Sequence, residues 1–148
     1  MQYSILVPLN DSLIARTVVD YLCSSLLWRQ NMHYTLLHVL RQPSASEELM
    51  GDEFVKQHPA RFEEVLKRAK EELVEKGANP KNVHIELVTE PYMSIADGII
   101  DQCKKRKFDM VVIGRRKMSK AEEFVLGDIS LKLVRAVEDS AVLVIKNR

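Results

Sequence analysis

Cysteine is scarce, and nothing in the chain puts it to use. Cys23 and Cys103 stand far apart, with no Cys-x-x-Cys pair and no half-cystine framework. That excludes a disulfide-built scaffold and a paired-thiol motif; a reducing, cytoplasmic setting is expected, with both thiols packed as buried structural groups. No apolar run is long enough to cross a bilayer. No basic segment, apolar core and cleavage site open the sequence, so no secretory signal is expected. Neither sign of charge dominates: 22 Lys and Arg against 21 Asp and Glu leave +1, too little to draw the whole molecule toward nucleic acid or an anionic membrane. His33, His38, His58 and His84 form no HxxxH or HExxH pair, and His33 and His38 point to opposite faces of one strand. No metal cofactor is expected. Also missing are a P-loop, GxGxxG and the GxSxG elbow. Aromatic residues are 6% of the chain. Trp28 and Tyr34 read as packing residues. The cations Lys104, Lys105, Arg106 and Lys107 have no aromatic residues among them, and complement a helix C-terminus rather than forming a nucleic-acid patch.

What is present suits one globular domain: 148 residues, 46% hydrophobic and 29% charged. Tyr3 to Leu9 reads as a short strand with Pro8 near its end. Asn10, Asp11 and Ser12 are turn and N-cap residues. Ile14, Val18, Leu22 and Leu26 recur every fourth residue and predict a helix over 13–29. A second strand covers 34–40. Residues 41–59 are mixed, with a short helix around Glu47. The face Phe62, Val65, Leu66, Ala69 and Leu73 predicts a helix over 60–76 stopped by Gly77. Val83 to Val88 alternates as a partly exposed edge strand does. Ser94 caps the next helix, with Asp97 completing an acidic capping box. Phe108 to Ile113 is a continuous apolar run suited to a central parallel strand. A long connection over 114–127 leads to a helix over 128–137 and a last strand, Ala141 to Ile145.

Strands alternating with helices imply a mostly parallel sheet with helices on both faces and right-handed crossovers. Ligands of such sheets sit beyond the carboxyl ends of the strands, where strand order reverses. The Asn10–Ser12 turn and the Gly114 loop are therefore the first places to look. The last strand is apolar and terminal, and a bare apolar edge invites aggregation. A second copy pairing through Val142, Leu143, Val144 and Ile145 would cover it; the alternative is a strand covered by its own helices, with Lys146 and Arg148 guarding the end.

Four blocks in this order carry a resemblance: Ile5-Leu-Val-Pro-Leu-Asn-Asp-Ser, Ser94-Ile-Ala-Asp-Gly-Ile-Ile, Phe108-Asp-Met-Val-Val-Ile-Gly and Val125-Leu-Gly-Asp-Ile-Ser, followed by Ala141-Val-Leu-Val-Ile. The chain resembles the universal stress proteins over nearly its whole length. The resemblance implies a Rossmann-like, five-stranded parallel sheet of order 3-2-1-4-5, and homodimers formed through the last strand. One branch of that family binds ATP through Gly-x-x-Gly, nine residues, then Gly-Ser/Thr. By the resemblance, Gly114 matches the first glycine, Lys117 replaces the second, Gly127 matches the third, Asp128 replaces the Ser or Thr, and Ser130 matches a further hydroxyl. Asn10 stands where a nucleoside-binding Asp is usual, and Ser12 matches.

Each departure has a physical consequence. Asn10 still hydrogen-bonds. Lys117 makes a positive φ costly and adds a charge. Asp128 puts a carboxylate where phosphate oxygens would lie and caps the helix that would otherwise hold them. Two like charges about 4 Å apart cost about 4 kcal/mol at an intermediate dielectric, and ~1.4 kcal/mol is tenfold in affinity. The cations Arg115, Arg116, Lys117 and Lys120 crowd the same loop, offset by Glu122 and Glu123; a solvated surface loop is the plainer reading. The expectation is a non-enzymatic, homodimeric stress-response domain with no cofactor, acting through protein partners it does not identify. One alternative is a module that binds ATP with Mg, AMP or another anion in the Gly114–Ser130 loop. A second is a slow nucleotide hydrolase, for which Asp11 and Asp128 are the only acids in place.

Overall fold

The computed structural model describes residues 2–10, 12–25, 31–41, 49, 52–117, 119–121 and 128–146, with the backbone alone at 41 and 52–58. The elements are β1 (Tyr3–Pro8), α1 (Leu13–Ser24), β2 (Met32–Arg41), α2 (Asp52–Glu75), a 3-10 turn (Pro80–Asn82), β3 (Val83–Tyr92), α3 (Ile95–Lys105), β4 (Met110–Arg115), α4 (Ile129–Ala136) and β5 (Ala141–Lys146). They form a five-stranded sheet of order β3-β2-β1-β4-β5, every neighbouring pair parallel. This is the expected α/β architecture.

Successive residues of β1 face opposite sides, and both sides are covered: Ile5, Leu6 and Val7 are all fully buried. Ile5 and Val7 join Val18, Leu22, Tyr34, Leu36, Leu66 and Leu73 beneath α1 and α2. Leu6 joins Leu37, Ile99, Phe108, Val111 and Leu133 beneath α3 and α4. Two covered faces are why β1 and β4 read as unbroken apolar runs. Cys23 and Cys103 are half-buried, one against each core. They are thus less enclosed than expected, but burial still pushes both thiols up, away from the reactive thiolate.

Several boundaries differ from expectation. Helix α1 stops at Ser24, not Arg29; Ser24 Oγ donates to the Tyr21 carbonyl at 3.4 Å, the backbone competition that serine offers a helix end. Leu26 and Trp28 lie outside the described residues, as do Asp11 and the segment around Glu47. Helix α2 is described from Asp52 and carries Pro59 inside it. Proline removes one donor there without ending the helix, because the turns on either side supply good helix formers. Its stop is as expected: Gly77 has φ 120°, open to glycine without strain. Strand β3 runs four residues past Val88, to Tyr92, and lies at the sheet edge. Strand β4 begins at Met110 and continues through Gly114 and Arg115, so the connection starts later than the glycine suggested. Ser94 caps α3, accepting from the Asp97 amide at 3.1 Å.

Strand β5 lies at the opposite edge, paired only with β4 among the described residues. Val142, Leu143 and Val144 are half-buried, whereas Ile145 packs into its own core at 9% exposure. Its share in any strand pairing is therefore its backbone rather than its side chain.

Candidate functional site

Strand order reverses between β1 and β4, so their carboxyl ends frame the crevice in which a sheet of this kind binds ligands. The chain leaves β1 at Leu9, whose amide donates to the Leu37 carbonyl at 2.8 Å. Asn10 then folds onto its own turn. Its Oδ1 accepts the Ser12 amide at 2.9 Å and also the Ser12 hydroxyl. This is a side-chain mimic of a backbone turn, and it redirects the Ser12 hydroxyl from the α1 amides, which that side chain does not cap. On the β4 side, Gly114 faces α1. A Cβ there would lie 2.6 Å from Ile14 Cγ1 and 2.9 Å from Val18 Cγ2. The glycine thus lets α1 close on β4. Ile95, Ile129 and Val39 also line this crevice, whose volume is about 70 Å³. Small-molecule pockets usually measure roughly 300–1,000 Å³.

Asp128 is the N-cap of α4. Its Oδ1 accepts the Leu131 amide at 3.3 Å and the Ser130 hydroxyl at 2.6 Å. Its Oδ2 meets an Arg115 guanidinium nitrogen at 2.8 Å. The carboxylate side chain is 12% exposed and Arg115 32%. Burial pushes the Asp128 carboxyl up, but the Ser130 and Leu131 hydrogen bonds and the Arg115 charge outweigh it and hold the group below its ordinary value. A lowered carboxyl stabilises the fold above the ordinary range and loses that contribution as pH falls through its own value. The cap alone is worth about 1 kcal/mol.

Asn10, Ser12 and Gly114 meet at the switch point, and Asp128 and Ser130 bond each other beside it. Gly127 lies outside the described residues. Lys117 is exposed and is not among the residues of positive φ, so the backbone strain expected of it does not arise. Arg115, expected among the loop cations, belongs instead to the strand and to Asp128. His38 packs in the core. It is 5% exposed, its ring stacks on Phe62 with centroids 3.6 Å apart, and its Nδ1 donates to the Leu9 carbonyl at 2.7 Å. A carbonyl only accepts, so Nδ1 carries the hydrogen. Among the described residues, no cluster of His, Cys, Asp and Glu could hold a metal, and no helix is long and apolar enough to cross a membrane.

No curated protein matches the sequence. Solved structures match its fold. UspA from Lactobacillus plantarum is 16% identical with a TM-score of 0.72, over 98% of this chain and 99% of that one. A universal stress protein in complex with cAMP is 17% identical with a TM-score of 0.69, over 98% of each chain. A universal stress protein family protein from Arabidopsis thaliana with AMP bound is 20% identical with a TM-score of 0.66, over 99% of this chain and 92% of that one. The family itself matches residues 1–146; with that span, the chain belongs to the universal stress protein family.

Proposed function

We propose that this universal stress protein is a non-enzymatic, homodimeric regulatory domain of the stress response that does not hold ATP tightly. One observation carries the reading. The Asp128 carboxylate already takes the Arg115 guanidinium, the Ser130 hydroxyl and the Leu131 amide, the kinds of donor an incoming phosphate needs. A phosphate approaching them meets a fixed negative charge in the cleft of about 660 Å³ that Arg115, Asp128, Ser130 and Leu131 line. Titration with ATP and magnesium by calorimetry should show no saturable binding at micromolar concentrations; a micromolar Kd overturns the reading. Binding of that kind would favour the second reading, a nucleotide or anion module. That reading draws support from the relatives holding cAMP and AMP and from the exposed Arg116, Lys117 and Lys120.

Dimerisation is supported by the edge position of β5, paired only with β4 among the described residues, and by Leu131 and Val134 on the neighbouring α4, which are 46% and 55% exposed. Antiparallel pairing about the middle of β5 sets Lys146 of one copy beside the Glu138–Asp139 turn of the other, opposite charges meeting at both ends. Sedimentation of the intact chain should give a dimer. Leu131→Lys together with Val134→Lys changes only exposed positions and should give a folded monomer. A monomeric parent sinks the proposal.

A further inference from the structure

The cleft of about 660 Å³ where α4 meets β5 carries more charge than the Asp128 cap uses. Leu131, Val134 and Val144 give it an apolar lining, with Lys120, Lys132, Arg135 and Lys146 around them. Asp128 is the one acid lining it among the described residues, and Arg115 holds that carboxylate at 2.8 Å, so the pair is electrically balanced. The other four cations are exposed, and no acid among the described residues lies in ion-pair contact with them. Charges of one sign along one surface favour an acidic occupant.

The backbone beside the cleft is a sheet edge. Strand β5 pairs only with β4 among the described residues, and an edge strand offers its amides and carbonyls to an extended segment. Its side chains alternate: Leu143 and Ile145 pack with the core beneath α1 and α2, Val142 and Val144 with the core beneath α3 and α4. A strand added to β5 therefore turns every second side chain toward the α4 face, where the cations and the apolar lining are. Glu138 and Asp139 precede β5 and keep acidic residues toward the Lys146 end. Nucleic acid would use the cations but not the edge, and no aromatic residue lines the cleft for base stacking. A second copy suits the charge less well. A two-fold contact brings the same patch to itself, so one cationic cleft meets another.

We propose that the α4–β5 cleft docks an extended acidic segment of a partner protein, which adds to the β5 edge as a strand and displaces the second copy there. The proposal rests on the dimer only for what is displaced; the docking stands without it. Acidic side chains at alternate positions meet the cations, and an apolar side chain between them rests against Leu131 and Val134. Strand β5 has six residues, so a segment of similar length, roughly 20 Å when extended, covers the edge. Exposed ion pairs contribute little, and the affinity is therefore modest, with a Kd of about 100 μM.

The test is fluorescence anisotropy of the full chain with a labelled peptide, Thr-Glu-Thr-Val-Thr-Glu-Thr, which presents its two acids and its valine on one face of a strand. It should bind saturably, and sedimentation of the same mixture should show dimer giving way to peptide-bound monomer. The same peptide with lysine in place of glutamate should bind at least about tenfold more weakly. Lys132→Gln together with Arg135→Gln should weaken peptide binding at least about fivefold, while the dimer stays as strong as in the parent or becomes stronger. Both substitutions fall on exposed positions, and unchanged melting shows that the fold is intact. The proposal is overturned by no saturation at about 1 mM peptide, by equal binding of the lysine peptide or equal binding to the variant, by a peptide that binds without displacing the second copy, or by labelled oligouridylate that binds more tightly than the peptide. A monomeric parent that binds the peptide removes the dimer and leaves this docking in place; a dimer that the peptide does not enter does the reverse.

Discussion

The triple variant Asn10→Asp, Lys117→Gly, Asp128→Ser should bind ATP with magnesium at least about tenfold more tightly than the parent, a gain of ~1.4 kcal/mol or more. Most of it should come from position 128. In the parent, Arg115 holds the Asp128 carboxylate at 2.8 Å and Ser130 donates to the same group at 2.6 Å. Serine removes the negative charge and keeps an oxygen able to cap α4. Asn10→Asp restores a charged acceptor at the end of β1. Lys117→Gly should add little, because Lys117 does not take a positive φ and its cation is itself compatible with phosphate. Calorimetry on the triple variant and on Asp128→Ser alone separates these shares. If the triple variant gains nothing, charge is not what keeps the nucleotide out. The crevice closed by Ile14, Ile95 and Ile129 then excludes it by volume.

That prediction shows which parts of the site were legible in the sequence. The elements and strand order were, because they depend on local pattern. Met110 to Ile113 is apolar without interruption and became a strand buried on both faces; Val83 to Val88 alternates and became an edge. The capping role of Asp128 was legible for the same reason, since an N-cap acts within one turn. The Arg115–Asp128 pair was not. It required β4 to continue past Gly114, and glycine in a strand interior reads as a stop or a bulge. Nor was the α4–β5 cleft, whose shape depends on how the helix sits over the sheet edge, a tertiary quantity with no periodic trace. The course of α2 through Pro59 was hidden too, since a proline marks a helix start more often than a helix interior.

Gly114 can serve either a ligand or the packing of the fold. In the family pattern a glycine at this position lets backbone approach phosphate; in this fold it lets α1 approach β4. The two roles predict different results in the absence of any nucleotide. If glycine served only a ligand, Gly114→Ala would leave the melting temperature of the free protein unchanged. The packing role predicts a loss, because the new Cβ would meet Ile14 Cγ1 at 2.6 Å and Val18 Cγ2 at 2.9 Å. Both atoms sit one bond from a Cβ held by the helix, so relief requires α1 itself to shift. Overpacking of this kind costs about 1–3 kcal/mol, and for a chain of this size that lowers the melting temperature by roughly 3–10 °C. A double-mutant cycle locates the cause. Ile14→Ala alone should cost about 2–4 kcal/mol, since Ile14 is 7% exposed in the core. Combined with Gly114→Ala, it should cost clearly less than the two single effects added together, because the second change removes the atom that the first collides with. Strict additivity would mean that the strain lies elsewhere, and would return Gly114 to the role its motif suggests.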